Sequence, residues 1–305
     1  MKSSELLFLL SIVLVCVSLC AGRDEKEKES FYAQLSRAII RLEHFEKTQR
    51  KKSAQILVKN VSDGTAFFIG SVNSLYVVTA RHVVEKPYDL HARVQCRNRK
   101  TLKNEVFLLE LPRHKWVYHN NIGDEDTRFV DVAVMKIPLI KEHSINCFRY
   151  ELKDSNDYDK NQLPLGDPEP PQPILVFGFP RKIGFTLLEQ IPIGRSGIIS
   201  MRTGKKFLKI DSNKFVEERC CIIDASMFPG NSGSPVMNQQ RIFDLKPRLL
   251  GLVIAANDKL DFGIIEPVSR IRETLDLARD KSVSGHWKLI LKTKVNPVHE
   301  TDTNK

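Results

Sequence analysis

The chain has 305 residues, enough for one large domain or two smaller ones with a substantial buried core. Hydrophobic residues make up 42% and charged residues 28%, which excludes a disordered or fibrous chain. The net charge of +10 offers weak attraction to anionic surfaces. The basic residues are scattered, however, and no motif with interleaved aromatics accompanies them. A solvated basic surface is expected, and nucleic acid is not an expected partner.

Residues 1–22 have the layout of a secretory signal peptide: Lys2, then an apolar run from Leu6 to Cys20, then small residues and charges. The run is short for a membrane span. Cleavage between Cys20 and Gly22 would send the mature protein out of the cytoplasm, as a secreted or periplasmic protein. The alternatives are an uncleaved anchor, or a lipid on Cys20, which bulky Leu19 disfavours. Residues 23–52 follow as a charged spacer and an amphipathic segment. There Phe31, Leu35, Ile39, Leu42 and Phe45 recur at four- and three-residue spacing behind Ser30, which predicts an N-terminal helix.

From residue 53 to 163 the pattern turns to short strands. Ile56–Val61, Ala66–Ile69 and Leu75–Thr79 are separated by the turn signals Asp63-Gly64 and Asn73-Ser74. The third run ends on Thr79-Ala80-Arg81-His82-Val83-Val84. Strands are also expected at Val94–Cys96, Glu105–Leu111 and Trp116–Tyr118. Val130-Asp131-Val132-Ala133-Val134 then alternates, placing a carboxylate at the head of a buried strand, where it needs a partner. Residues 164–173 hold five of the prolines that follow this region or border it, counting Pro164, Pro168, Pro170, Pro171 and Pro173, and read as a stiff linker.

Residues 174–284 resume the strands and end in helical spacing at Val268, Ile271, Leu275 and Ala278; 285–305 read as a polar tail. Within them lies Met227-Phe228-Pro229-Gly230-Asn231-Ser232-Gly233-Ser234-Pro235. Its glycines allow a tight turn that bares a hydroxyl and aims main-chain N–H groups at one point, as acyl transfer requires. Four cysteines lie outside the signal segment: Cys96, Cys147, Cys220 and Cys221. One or two disulfides are compatible with an oxidising compartment. Adjacent Cys220 and Cys221 point to opposite faces of a strand. Their spacing lacks the CxxC pattern of zinc sites, so no metal is expected.

Gly64-Thr65-Ala66-Phe67-Phe68-Ile69, Thr79–Val84, Asp131–Val134 and Pro229–Pro235, in that order, resemble the trypsin-like serine peptidases. They look most like the high-temperature-requirement, or Deg-type, branch. The resemblance implies a mainly β fold of two antiparallel six-stranded barrels of the chymotrypsin type, with the N-terminal and C-terminal helices added. It implies a serine endopeptidase without cofactor, acting on protein or peptide substrates. Ser232 would be the nucleophile, His82 the general base and Asp131 its orienting acid, with the Gly230 and Ser232 N–H groups as oxyanion donors. Ser226 would form the base of the primary pocket, Ile254, Ala255 and Ala256 one wall, and Gly263 the back. With serine rather than a carboxylate at its base, that pocket suits a small or medium apolar side chain. Asn231 replaces the aspartate of zymogen-type relatives, so no activation by a new N-terminus is expected. No stretch after the C-terminal helix is long enough for the PDZ module that many Deg-type peptidases carry. The alternative function is a silent or partner-activated binding module on the same fold. An α/β-hydrolase esterase would place its serine first, and is set aside.

Overall fold

The computed structural model describes residues 36–49, 56–71, 74–100, 104–120, 130–140, 143–145, 147–149, 168–181, 191–203, 207–208, 215–216, 220–239, 248–257, 261–281, 283 and 287–288. All lie within the unit Leu35–Lys305. The expected signal segment, the charged spacer, residues 164–167 of the expected linker and the polar tail past 288 lie outside the described residues. No described helix is long and apolar enough to cross a membrane.

The expected N-terminal helix is not what residues 39–49 form. They make strand β1 (Ile39–Gln49), paired antiparallel along its whole length with β2 (Ile56–Ser71), from Ile39 opposite Phe67 to Gln49 opposite Ile56. Tertiary pairing overrides the helical spacing. Ile40 and Leu42 are buried, whereas Phe45, the last residue of the supposed apolar stripe, is 37% exposed. Glu43 is also buried, in an ion cluster with Arg41 and Arg93. Burial holds the Arg93 guanidinium below its ordinary pKa, against the attraction of Glu43.

Asp63-Gly64 is likewise not a turn but lies inside β2. Leu42 faces Gly64 and Glu43 faces Ser62, so Asp63 is the extra residue of a β-bulge. The bulge carboxylate is buried. It accepts the Tyr88 hydroxyl at 2.9 Å and pairs with His44 Nδ1 at 2.5 Å.

Strand β3 (Ser74–Thr79) sits between β2 and the later strand at Ala133–Ile137, and its residues from Leu75 onward are all buried. A single turn, α1 (Arg81–Val84), precedes β4 (Leu90–Asn98), β5 (Asn104–Leu111), β6 (Val117–Tyr118) and β7 (Ala133–Ile137). The short strands β8 (His143–Ser144) and β9 (Phe148–Arg149) pair with β4 and β2.

The second half comprises β10 (Gln172–Gly178), β11 (Ile193–Arg202), the pair β12 (Phe207–Leu208) and β13 (Phe215–Val216), β14 (Cys221–Asp224), β15 (Pro235–Asn238), β16 (Leu249–Asn257) and β17 (Phe262–Pro267). The helix α2 (Val268–Arg279) and β18 (Trp287–Lys288) complete the described chain. The expected linker thus gives its last two residues to β10, where Pro173, lacking an N–H, still accepts the Gln239 N–H at 2.8 Å.

Among the described residues one of the two expected six-stranded barrels is closed. The second half forms a closed ring, β10-β11-β14-β17-β16-β15. The first half forms a ten-stranded sheet ordered β18-β5-β4-β1-β2-β3-β7-β6, with β8 and β9 branching from β4 and β2. Long β1 inserts between β4 and β2, and the end strands β18 and β6 do not pair with each other among the described residues. Ile174, Val176, Ile199, Ile223, Met227, Val236 and Val253 are among the residues filling the closed barrel. A second apolar core fills the first sheet and continues through Met237, Leu249, Leu252 and Ile254 into α2, so the halves share one packed seam.

Helix α2 forms as its spacing predicts, beginning directly after Pro267 and burying Val268, Ile271, Leu275 and Ala278. It is tied to the first sheet by Lys136 Nζ on the Arg279 carbonyl, 2.9 Å, and by Glu273, which bonds His119 at 2.7 Å and Arg270 at 2.8 Å. Burial opposes the charge on Glu273, but the hydrogen bonds from Arg270 and His119 and their charges together outweigh it, leaving the carboxyl below its ordinary pKa. A carboxyl depressed on folding stabilises fully above the ordinary glutamate pKa, about 4.3, and loses that contribution as pH falls through the lower folded value. The gap in Tm between wild type and Glu273→Gln is therefore expected to be constant near neutrality and to close below about pH 4. Thermal scans of both proteins across that range check it.

Candidate active site

His82 is held by its neighbours rather than by its own burial. β3 ends at Thr79, and α1 turns the chain so that Val83 and Val84 plug the core while the His82 side chain stays 47% exposed. Asp131 is placed in the same manner, between buried Val130 and Val132 just ahead of β7. The two meet twice. The His82 backbone N–H donates to Asp131 Oδ1 at 2.9 Å, and His82 Nδ1 lies 2.7 Å from Oδ2. An ionised carboxylate only accepts, so the ring proton belongs on Nδ1 and the lone pair is left on Nε2. The Asp131 carbonyl accepts the Arg81 N–H at 3.3 Å, closing the bracket around the turn.

The loop from Met227 to Pro235 docks on the first half through Thr65. The Thr65 N–H donates to the Ser232 carbonyl at 2.9 Å, and its hydroxyl donates to the Gly230 carbonyl at 2.8 Å. That hydroxyl also accepts the Phe179 N–H at 3.0 Å, and the Thr65 carbonyl accepts the Thr79 hydroxyl at 2.7 Å. Gly64 carries no side chain where the Ser232 carbonyl and the Val83 methyls converge: a Cβ there would lie 3.1 Å from the former and 2.9 Å from the latter. The Ser232 main chain therefore lies against the turn that bears His82. Among the described residues the Ser232 hydroxyl makes no hydrogen bond to the imidazole, and such bonds commonly tighten only when substrate is bound.

Gly230 and Gly233 have φ of +102° and +85°, values that residues with a Cβ rarely adopt. Arg181 grips the loop from outside, its N–H on the Pro229 carbonyl at 2.8 Å and its guanidinium on the Asp63 carbonyl at 2.9 Å. In a trans peptide the N–H opposes the C=O, so the Gly230 N–H is directed away from Arg181. Among the described residues neither the Gly230 N–H nor the Ser232 N–H donates to a backbone carbonyl. Asn231 is buried, its amide turned to Met227 Sδ at 3.8 Å.

The expected pocket residues gather across three strands. Gly263 pairs with Ala256 on one side and with Ile223 on the other, Ile254 is buried, and Ala255 and Ala256 are exposed. Met227 fills the space behind Gly263, its Cγ 2.8 Å from where a Cβ would lie. Ser226 itself brings no carboxylate to the pocket base, but one lies beside it. The Ser226 hydroxyl donates to Asp261 Oδ2 at 2.9 Å, and Asp261 is exposed with φ of 51°. That pair joins residues 35 apart, which no local pattern signals. The sequence reading also missed Thr65 as the clasp of the loop, Arg181, and buried Glu266, whose Oε1 accepts the Asp131 N–H at 2.9 Å. No disulfide joins Cys96, Cys147, Cys220 and Cys221 among the described residues, against the one or two that an oxidising compartment would allow.

A trypsin-like peptidase domain model matches residues 64–241. No curated protein matches the chain in sequence. Among solved structures, the chain is similar to the HtrA-type protease AlgW with a decapeptide, at 16% identity and TM-score 0.51, over 82% of this chain and 68% of that one. It is also similar to a protease from M. tuberculosis in its active form, at 18% identity and TM-score 0.46, over 83% and 86% of the two chains. The AlgW likeness shows the fold: mainly β, of the chymotrypsin type.

Proposed function

The chain belongs to the trypsin-like peptidase family, a serine-type endopeptidase by class, and from that premise we propose that Ser232, His82 and Asp131 are its catalytic triad. The observation that carries the assignment is the double hydrogen bond between His82 and Asp131 beside the docked Ser232 loop. His82 Nε2 takes the Ser232 proton as Oγ attacks the scissile carbonyl. The Gly230 and Ser232 N–H groups receive the developing oxyanion. The imidazolium then protonates the leaving amine, an acyl ester remains on Ser232, and water activated by His82 releases it. The substrates are proteins or peptides; the similar HtrA-type protease AlgW is known with a decapeptide.

The mature enzyme works outside the cytoplasm, secreted or periplasmic, once residues 1–22 are removed. Residues 53–163 supply His82 and Asp131, and 174–284 supply Ser232. The unmade Ser232–His82 hydrogen bond favours one second reading, in which a partner or substrate must draw the serine into place.

Met227 behind Gly263 supports a shallow apolar primary pocket. On a panel of peptides differing at P1, alanine and valine are expected to exceed lysine and arginine in kcat/KM by at least about tenfold, the scale of one or two missing pocket contacts. A preference for lysine or arginine that Asp261→Asn abolishes would assign the pocket to the Asp261 carboxylate instead.

A further inference from the structure

Asp131 is anchored through its main chain as well as through its carboxylate, and the anchor is a second acid. Glu266 lies in β17, between buried Ile265 and Pro267, and is 1% exposed. Its Oε1 accepts the Asp131 N–H at 2.9 Å, and its Oε2 accepts the Cys220 thiol at 3.9 Å. Burying a carboxyl group there costs free energy that a leucine would not incur, unless its oxygens are bonded. The bond to Asp131 joins residues 135 apart. It runs from the closed barrel, which carries Ser232, to the sheet, which carries His82 and Asp131. The other main-chain group of Asp131, its carbonyl, accepts the Arg81 N–H, so Glu266 completes the fixation of a residue whose carboxylate sets the imidazole.

We propose that Glu266 is a positioning residue: a buried acceptor that holds the Asp131 backbone from the opposite half and thereby sets the reach of His82 toward Ser232. Its effect on rate rests on the peptidase reading; its effect on the His82–Asp131 hydrogen bond does not. Glu266→Gln keeps an oxygen acceptor in place, and Glu266→Leu keeps the bulk without one.

The test measures kcat and KM on a cleaved peptide together with the low-field proton resonance of His82 Nδ1–H, assigned by its loss in His82→Ala. Glu266→Leu is expected to lower kcat by roughly 10- to 100-fold, the cost of a displacement of about 1 Å, with KM within about twofold. It should also shift or broaden the low-field resonance. Glu266→Gln should recover most of kcat and the wild-type resonance. Wild-type kcat and resonance in Glu266→Leu, or a Gln variant as impaired as the Leu variant, would overturn the proposal. Should Glu266→Leu not fold, Glu266→Asp, one methylene short of Asp131, must show the same loss, and wild-type behaviour there is equally fatal. A wild type inactive on peptides whose resonance nonetheless responds as described would sustain the Glu266 role and remove the peptidase reading alone.

Discussion

Replacing Ser232 by alanine is expected to lower kcat by about 10⁵- to 10⁶-fold while leaving the fold intact, and His82→Ala should cost about as much. The expectation follows from the division of labour in the site. Without the hydroxyl no acyl ester forms. Without the imidazole the hydroxyl loses its base, since the Asp131 carboxylate sits on the Nδ1 side of the ring and not on the Nε2 side that would take the proton. The two losses should therefore not add: the double variant should match either single one within about tenfold. Asp131→Asn tests the pair differently. An asparagine amide facing Nδ1 donates rather than accepts, leaving the imidazole in the wrong tautomer, and a fall of about 10⁴-fold in kcat is expected. Steady-state kinetics on one peptide, with circular dichroism to confirm folding, checks all of these. Ser232 sits in a loop that its neighbours fix through main-chain groups, so truncating its side chain removes no contact that the loop needs.

Gly233→Ala should instead destroy the site from the backbone outward. Gly233 adopts φ of +85°, and a Cβ there would collide with the Thr65 carbonyl oxygen and the Thr79 hydroxyl, both inside the clasp that docks the loop. Its own N–H donates to the Val253 carbonyl at 2.7 Å, so the loop cannot move aside without breaking its tie to β16. Strained φ and overpacking together should cost about 3 kcal/mol or more of stability. Gly230→Ala meets a similar barrier, with the added Cβ 2.5 Å from the Phe179 carbonyl and 2.7 Å from the Arg181 nitrogen. It should lose activity with a smaller loss of stability, because Gly230, though buried, follows exposed Phe228 and Pro229, which have room to shift. Urea denaturation of both variants beside wild type checks the order.

The site and the fold were legible to different depths. His82, Asp131 and the Ser232 loop each sit in a short local motif of flanking valines or glycines; the structure bonds His82 to Asp131 and docks the Ser232 loop through Thr65. The helix α2 was legible because its apolar spacing agrees with its packing. Residues 39–45 carried the same kind of spacing and became a strand, since the long partner strand β2 offered them backbone hydrogen bonds along their whole length. Asp63-Gly64 has the composition of a turn but serves as a bulge, a distinction that depends on what pairs opposite. Glu266 and Asp261 were invisible for a related reason. Each acts across a long stretch of chain, and a lone acid beside Pro267 or in a hairpin carries no motif. Neither local spacing nor composition reports which main-chain N–H or side-chain hydroxyl will meet it.

Whether Ser232 is an activated nucleophile served by His82 is read by labelling the mature protein with a fluorophosphonate probe. Strong labelling of wild type, lost in both Ser232→Ala and His82→Ala, is the expected result. A folded wild type that does not label would contradict it, leaving a peptidase fold that needs a partner to act or that serves to bind.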